Sequence, residues 1–343
     1  MKKETNKKRW NGSEKVVIGI LLLIVATTLL LVVALWYMKQ DSVKVSNSHS
    51  RTYKYHYMLI ENEPDSAFFR SLYRGAQKAG GKRNIYVEDL AESLDKSYNV
   101  AELMEIAIAA NIDGIIVEAN DTKQLQELID RASEQNIPVV TTYEDAPKSK
   151  RKSFVGINGQ QLGEIYGEKI VECKQENVPL RATVLIDSEG NSENSRLVYS
   201  GMKKVVSQEE IELDVIRVDR KDPFSIEEKI RSLVLSGEQR PDVLICMDEV
   251  ETICAYQAVV DYNAVGKMQI IGNYTSPEIL QAIEKGVISS SIVIDAEKMG
   301  AKAVETLCNY QKSKFINEYE TITPQVITKE NVEAAIKEAD KNE

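Results

Sequence analysis

The side chains that most often carry catalysis or hold metals are scarce in this sequence. Only two histidines occur, His49 and His56, and neither adjoins a nucleophile pattern. Two histidines do not complete a His-rich metal site, and the four cysteines form no C-x-x-C pair. The motifs G-x-S-x-G and H-E-x-x-H are both absent. We therefore predict no metal, no cofactor and no catalytic nucleophile.

Two weaker chemical patterns remain. A pair of carboxylates such as Glu144 and Asp248, about 5–10 Å apart across a sugar, could act as a glycosidase. Residues 75–82, GAQKAGGK, resemble a phosphate loop, but Gly81 separates the second glycine from Lys82, and arginine follows that lysine. The segment is better interpreted as the glycine-rich end of a helix. We predict that the chain is not an enzyme, with a glycosidase as the enzymatic alternative.

One segment near the start, residues 16–38, contains no charged residue. As a helix it would be about 35 Å long, enough to cross the ~30 Å hydrocarbon layer of a membrane. Six basic and two acidic residues precede it, which keeps that end in the cytoplasm. A cleaved signal peptide is the alternative, but the run exceeds the usual apolar core and no small-x-small site follows. We predict a cytoplasmic tail at 1–15, a single transmembrane anchor at 16–38 and an external linker at 39–52, in the cell membrane.

The remaining residues, 53–343, are strongly acidic. After subtraction of the 9 basic and 3 acidic residues before them, they contain 34 basic and 50 acidic residues, a net charge of −16. Like charge repels nucleic acid and anionic lipid, so neither is an expected partner. We expect the four cysteines to be buried free thiols rather than disulfides, because three of them lie inside apolar runs.

Short apolar runs alternate with helical periodicity throughout this part, which predicts an α/β fold with parallel sheets covered on both faces. Strands are predicted at 55–60, 84–87, 115–118, 138–142, 183–187, 214–218, 243–247 and 269–271. Helices are predicted at 67–79, 100–110, 123–134, 196–206, 225–235 and 252–262. The alternation breaks at 149–158, which divides the domain into two similar halves. Each half ends a strand on a tyrosine, Tyr143 and Tyr274.

Six segments, in this order, resemble the type I periplasmic binding proteins of the ribose-binding kind, whose fold is shared with the ligand domains of LacI-like repressors. They are SAFFRSLYRGAQKA, IDGIIVEANDTKQLQELIDRASEQNIPVV, GINGQQLGEIYG, the Ser195–Arg196 pair with Gly201, IIGNYTSPEILQAIEKGVISSSI and EKMGAKAVETL. The resemblance extends over roughly residues 53–328. It implies two Rossmann-like lobes joined by a hinge of three crossovers, near 157, 294 and 321. The N-terminal lobe would comprise 53–157 with 295–321, and the C-terminal lobe 158–294 with 322–335.

The resemblance also implies a site between the lobes. Ser66, Phe68 and Phe69 occupy the loop whose aromatic rings stack on the ligand, although Phe69 could be a core residue. Arg196 matches the family's ligand-binding arginine, with a surface ion pair as the alternative. The implied ligand-binding residues are Ser66, Phe68, Phe69, Tyr143, Glu144, Arg196, Asp248 and Tyr274.

Departures from the ribose binders suggest a different ligand. Tyr143 and Glu144 replace an Asp–Arg pair, and Ile294 replaces a glutamine at the hinge. After the strand PDVLICMD, the residue that faces the cleft could be Asp248, Glu249 or Glu251. The cleft should be more aromatic and more acidic than that of a ribose binder, so another sugar or an amine-bearing or nucleoside-like molecule fits better.

Together these observations predict a membrane-anchored extracytoplasmic solute-binding protein. It would close around a sugar-like ligand and serve either an ABC transporter permease or a sensor histidine kinase. The alternative outside ligand binding is a lobe pair that only contacts a partner within a signalling complex.

Overall fold

The computed structural model describes residues 53–63, 66–94, 98–188, 193–220 and 222–339 of the chain. The tail, anchor and linker predicted for residues 1–52 lie outside these ranges. Across the described ranges, no helix has the length and apolar character needed to cross a membrane.

Strands and helices alternate along the described residues, as the sequence predicts. The strands are β1 Tyr55–Ile60, β2 Ile85–Asp89, β3 Gly114–Glu118, β4 Val139–Thr142, β5 Ser153–Gly156, β6 Leu180–Asp187, β7 Ile211–Val218, β8 Val243–Ile245, β9 Gln269–Asn273, β10 Ser290–Val293, β11 Tyr319–Thr321 and β12 Gln325–Thr328. The α-helices are α1 Ala67–Gly81, α2 Leu90–Ser93, α3 Val100–Ala109, α4 Lys123–Glu134, α5 Gly159–Glu172, α6 Glu193–Val206, α7 Pro223–Leu235, α8 Glu249–Asp261, α9 Pro277–Glu284, α10 Ala296–Ser313 and α11 Val332–Ala339.

Side-chain caps fix where several helices begin. Asn99 and Glu102 form a capping box at the start of α3. Thr122 accepts from the amide of Leu125 at the start of α4, and Asn158 accepts from the amide of Gln161 at the start of α5. Each such cap satisfies an amide that has no partner within its own helix, typically worth about 1 kcal/mol.

The strands form two six-stranded sheets with the same internal order. The first sheet runs β11-β5-β4-β3-β1-β2 and is parallel throughout. The second runs β12-β10-β9-β8-β6-β7, in which β12 pairs antiparallel with β10. The prediction of two α/β lobes is thus confirmed, with one correction: the second sheet is mixed rather than parallel. An antiparallel edge strand on a parallel sheet is common because the chain can return there without a crossover helix.

The chain passes between the two sheets three times. It leaves the first sheet after β5, which ends at Gly156, and returns after β10, which ends at Val293. It leaves again after β11, which ends at Thr321. Each lobe is therefore built from more than one stretch of sequence.

Glycines allow two close helix crossings. A Cβ on Gly75 of α1 would overlap the carbonyl oxygen of Glu297 on α10, and one on Gly300 would overlap the carbonyl oxygen of Leu72. Helices α5 and α6 cross in the same way, where Gly163 meets the carbonyl of Val198. Helices α1 and α6 follow β1 and β6 in the chain, so each begins on the side of its sheet where the strands end.

All four cysteines are free thiols. Cys246 and Cys308 are buried, and Cys173 and Cys254 are half-buried. Burial raises the pKa of the Cys173 thiol to about 11, so it is protonated and unreactive at neutral pH.

Candidate ligand-binding cleft

A cavity opens at the carboxyl edges of the two sheets, where ligands of open α/β sheets bind. Its volume is about 70 Å³, below the roughly 300–1,000 Å³ of small-molecule sites, so a ligand of sugar size needs the walls to part. The first lobe contributes Tyr143 and Glu144 directly after β4. The other residues that line the cavity are Ile157, Leu162, Tyr166, Val184, Ile186, Asp187, Asn194, Ser195, Val198, Tyr199, Met202, Arg220, Met247, Asn273 and Ile294.

The ring of Tyr143 packs against two phenylalanine rings. Its ring centroid lies 5.0 Å from that of Phe68 and 5.5 Å from that of Phe69. Phe69 is only 5% exposed and belongs to the hydrophobic core, whereas Phe68 is half-buried. Ser66 is the N-cap residue of α1, but its side chain makes no capping bond. The structure therefore groups Phe68, Phe69 and Tyr143 together and places Tyr143 at the cavity wall.

Tyr143 and Tyr274 share an unusual backbone conformation. Their φ angles are +63° and +77°, in the left-handed region that residues with a Cβ seldom adopt. Each follows the fourth strand of its half, β4 or β9. The two side chains have different surroundings: the Tyr274 hydroxyl lies 3.4 Å from the Ser71 hydroxyl, in a separate recess lined largely by α1 and α10. Of the two strand-end tyrosines, the structure places only Tyr143 among the cavity residues.

Arg220, one member of a buried ion pair, lines the cavity. Nε of Arg220 donates to Oε1 of Glu251 at 2.9 Å, and Oε2 of Glu251 accepts the amide of Met247 at 2.8 Å. Glu251 is fully buried, whereas the Arg220 side chain is 25% exposed. Burial alone would lower the pKa of Arg220, but the charges of Glu251, Tyr143 and Asp248 and the hydrogen bond to Glu251 together outweigh burial and raise the pKa. The guanidinium is therefore held charged and in a fixed orientation at the cavity.

The three acids that follow β8 have separate positions. Asp248 is the N-cap of α8, and its carboxylate accepts the amide of Val250 at 2.8 Å. Glu249 is half-buried, and burial raises its pKa. Glu251 binds Arg220. None of these three is among the cavity-lining residues that the described part of the chain provides, although Met247 is.

The two arginines of the second lobe differ in position. Arg196 is exposed on α6, outside the cavity lining, while its neighbours Asn194 and Ser195 are within it. Arg220, which the sequence prediction did not include, follows the edge strand β7 and lines the cavity. No pattern in the sequence identifies it: only the register of the two strands, in which Asp187 pairs with Val218, brings the ends of β6 and β7 to the same edge.

Acidic residues follow the carboxyl edge of the first sheet. Glu61 follows β1 directly, and Asp89 and Glu118 end the two strands that flank it. Glu61 is 2% exposed, and burial together with the charge of Asp89 raises its pKa to about 9. Burial raises the pKa of Glu118 to about 7. The backbone amide of Asn62 donates to its carboxylate at 2.8 Å, which has the smaller, opposite effect of lowering the pKa. At neutral pH Glu61 is therefore protonated and Glu118 is partly ionised.

The sequence matches the model of the periplasmic binding protein domain over residues 57–314. The chain belongs to this family. A comparison of the sequence with curated proteins finds no significant match. The family and the similar solved structures described next are solute-binding proteins rather than enzymes.

Solved structures share the fold over most of the chain. A glucose-galactose binding protein, GanP of Geobacillus stearothermophilus, is 24% identical over 81% of this chain and 98% of its own, with a TM-score of 0.70. A carbohydrate transporter solute-binding protein of Agrobacterium radiobacter, in complex with D-arabinose, is 17% identical over 83% and 98%, with a TM-score of 0.72. A complex of XylFII with LytSN contains a chain that is 24% identical over 81% and 98%, with a TM-score of 0.68. At these identities the likeness shows the fold.

Proposed function

We propose that this protein is an extracytoplasmic solute-binding protein that closes around a sugar-like small molecule. The observation that carries the proposal is the cavity, because its walls come from both lobes. Tyr143 and Glu144 belong to the first lobe, and Tyr166 and Arg220 to the second. A ligand that contacts both walls stabilises the arrangement in which the lobes approach each other, as in hinge closure of two-domain binders.

The proposed contacts follow from this placement. In the first lobe they are Tyr143, supported by Phe68 and Phe69, and Glu144. In the second lobe they are Arg220, Asp187 and Asn273, all at strand ends. The sugars named for GanP and for the Agrobacterium radiobacter protein support a carbohydrate ligand.

We further propose that the closed form is presented to a membrane partner. A transporter permease is supported by the transporter protein of Agrobacterium radiobacter, and a protein partner in signalling, such as a sensor histidine kinase, by the XylFII–LytSN complex. The uncharged segment 16–38 would anchor the protein beside that partner.

Calorimetric titration of the full chain in detergent micelles tests ligand binding. A panel of pentoses, hexoses, amino sugars and nucleosides is titrated, and any binder is then added in a thermal melt. A ligand at 100 times its Kd should add about 2.7 kcal/mol to the free energy of unfolding. If no member of the panel binds, the alternative of a ligand-free partner module replaces this proposal.

Protease treatment of intact cells tests the anchor and its orientation. We expect the full-length chain in the membrane fraction before treatment, and loss of the part after residue 52 when external protease is added. A soluble, N-terminally shortened product as the main species would show that the segment is a cleaved signal and that the anchoring proposal is wrong.

A further inference from the structure

Two features of the first lobe meet at the edge where its strands begin. Because all six strands of the first sheet are parallel, they share one starting edge, called here the amino edge. We infer that the amino edge of the first sheet docks onto the surface of an anionic lipid bilayer. The inference goes beyond ligand binding, but it rests on the proposed anchor at 16–38, which brings the domain to a membrane.

The tether from the proposed anchor reaches the domain at this edge. Tyr53 lies two residues before β1, and the amide of Lys54 donates to the carbonyl of Asn84, which directly precedes β2. Only residues 39–52 separate the proposed anchor from Tyr53. Fully extended, that segment spans at most about 50 Å. The amino edge is therefore the part of the described domain that the anchor would hold nearest to the bilayer.

An exposed phenylalanine lies at the same edge. Helix α10 ends at Ser313, and Phe315 lies in the loop between α10 and β11. Near the end of the helix, Gln311 accepts from the Tyr57 hydroxyl at 2.7 Å and donates to the carbonyl of Asp113 at 2.8 Å, which fixes this end near the starts of β1 and β3. Phe315 is 86% exposed, the most of any large apolar side chain in the described residues. The packing of the domain itself does not explain a ring held in water here.

The loop that carries this ring is held in place. The Ser313 hydroxyl accepts the amide of Phe315 at 3.2 Å, and Nζ of Lys314 lies 4.9 Å from the ring centroid of Tyr310. A second aromatic ring, that of Tyr319 at the start of β11, is 52% exposed. A side chain presented by an ordered loop loses little conformational entropy when it docks. The loop therefore suits a binding role.

The amino edge is basic although the domain is acidic. The segments that lead into the six strands contain eight basic and two acidic residues; they are 53–54, 82–84, 110–113, 135–138, 147–152 and 314–318. Four of the basic residues pair with acids from elsewhere, which are Glu305, Asp121, Glu134 and Asp145. The edge stays positive when these four acids are counted as well. The excess comes from lysines that form no ion pair with an acid of the described residues: Lys54, Lys82, Lys152 and Lys314.

Apolar and basic surface together match the surface of a bilayer. A lysine near anionic lipid strengthens the attraction typically about fivefold, and an exposed aromatic ring enters the boundary between headgroups and acyl chains. Residues 53–343 as a whole carry a net charge of −16 and are repelled by anionic lipid, so the amino edge is the exception that can approach. An acidic protein would match the lysines equally, but the tether would hold the bilayer beside this edge, which favours lipid.

Quenching by brominated lipid tests the docking on the full chain in nanodiscs. The two tryptophans, Trp10 and Trp36, are replaced by phenylalanine, and Phe315→Trp then supplies the reporter. A docked ring lies about 5–10 Å into the headgroup and acyl boundary, where brominated chains reach it, so in discs of phosphatidylglycerol and phosphatidylcholine bromination should lower its fluorescence at least about twofold. Phe224→Trp is the matched control, because Phe224 is 69% exposed at the start of α7 in the second lobe. Its fluorescence should stay nearly unchanged.

Two comparisons test the contribution of charge. In discs of phosphatidylcholine alone, quenching of the Phe315→Trp reporter should fall by at least about half, because the lysines lose their counter-charge. Lys312→Glu with Lys314→Glu should have the same effect in anionic discs. Lys267→Glu with Lys285→Glu changes two exposed lysines of the second lobe and should leave the quenching unchanged.

A chain that keeps Trp36 as its one tryptophan separates failure of the anchor from failure of the docking. Residue 36 lies within the proposed anchor, so bromination should quench it whether or not the domain docks. Quenching of Trp36 without quenching of the Phe315→Trp reporter would overturn the docking while the anchor stands, and an acidic protein would then be the occupant to seek. Absence of both would overturn the anchor and the docking together. Equal quenching at positions 315 and 224, or in neutral and anionic discs, would also contradict the inference.

Discussion

The guanidinium of Arg220 and the carboxylate of Glu251 form an ion pair in which only the arginine reaches the cavity. The Nε–Oε1 distance is 2.9 Å, and the acid is fully buried at the first turn of α8. The pair joins the end of β7 to the start of α8 and holds the Arg220 side chain in position at the cavity. Its two members should therefore respond differently to mutation.

Removal of Arg220 should destabilise the protein more than removal of the pair. Arg220→Ala leaves the buried carboxylate of Glu251 unpaired, which typically costs about 3–5 kcal/mol. The double variant Arg220→Met with Glu251→Gln buries no uncompensated charge and should recover most of that loss. Urea unfolding followed by circular dichroism measures both. Equal stability of the single variant and the wild type would show that the pair does not support the fold.

A milder substitution separates the two candidate arginines. Arg220→Lys keeps the charge near Glu251 but loses the planar fork, so ligand affinity should fall about tenfold. Arg196→Ala, on an exposed side chain, should change affinity by less than about twofold. Calorimetry with the best ligand of the panel compares them. If Arg196→Ala loses more ligand affinity than Arg220→Lys, then Arg196, the arginine predicted from the sequence, binds the ligand and Arg220 does not.

The strand-end tyrosines offer a second matched comparison. Asparagine tolerates the left-handed backbone that both positions require, so Tyr143→Asn and Tyr274→Asn remove the rings without adding backbone strain. Loss of the Tyr143 ring should weaken ligand binding about tenfold, because that ring forms part of the cavity wall. Tyr274→Asn should leave affinity nearly unchanged. Equal losses at both positions would support a ligand that contacts both tyrosines, as the sequence predicts.

The raised pKa of Glu61 should make the stability of the protein depend on pH. Its pKa is about 9 in the folded protein against 4.5 as the ordinary value, so the folded state holds a proton that the unfolded state has released between these values. The free energy of unfolding should therefore fall as pH rises from about 5 to 9. Glu61→Gln removes this titration, so the variant should gain stability relative to the wild type at pH 8. Denaturant midpoints across this range test it, and parallel profiles would contradict the burial of an acid proton at Glu61.

Much of the fold could be predicted because it depends on periodicity. The strand at Tyr55–Ile60 and the helix at Lys123–Glu134 have the bounds that the apolar pattern indicates. Helix α8 begins at Glu249 rather than at residue 252, because its start is set by the Asp248 cap and not by an apolar face. Because the helix start was predicted three residues too late, the sequence could not decide which of Asp248, Glu249 and Glu251 faces the cleft.

The site was harder to predict because it combines residues that no sequence pattern connects. Arg220 lies in the polar segment VDRKDP, and its partner Glu251 is 31 positions further along the chain. Only the parallel register of β6 and β7 brings the end of β7 to the edge of the cavity. The resemblance to sugar binders placed the arginine on a helix start, whereas here the cavity arginine follows an edge strand.

The glycine contact between α1 and α10 has a consequence for synthesis on the ribosome. Helix α1 begins at residue 67, but the helix that covers its glycine face ends at Ser313, and β11 completes the first sheet only at Thr321. During translation the first lobe therefore cannot complete its fold until most of the second lobe has been synthesised, and an apolar face of α1 stays exposed until then. Because exposed apolar surface promotes aggregation, we expect the nascent chain to depend on chaperones until residue 321 leaves the exit tunnel.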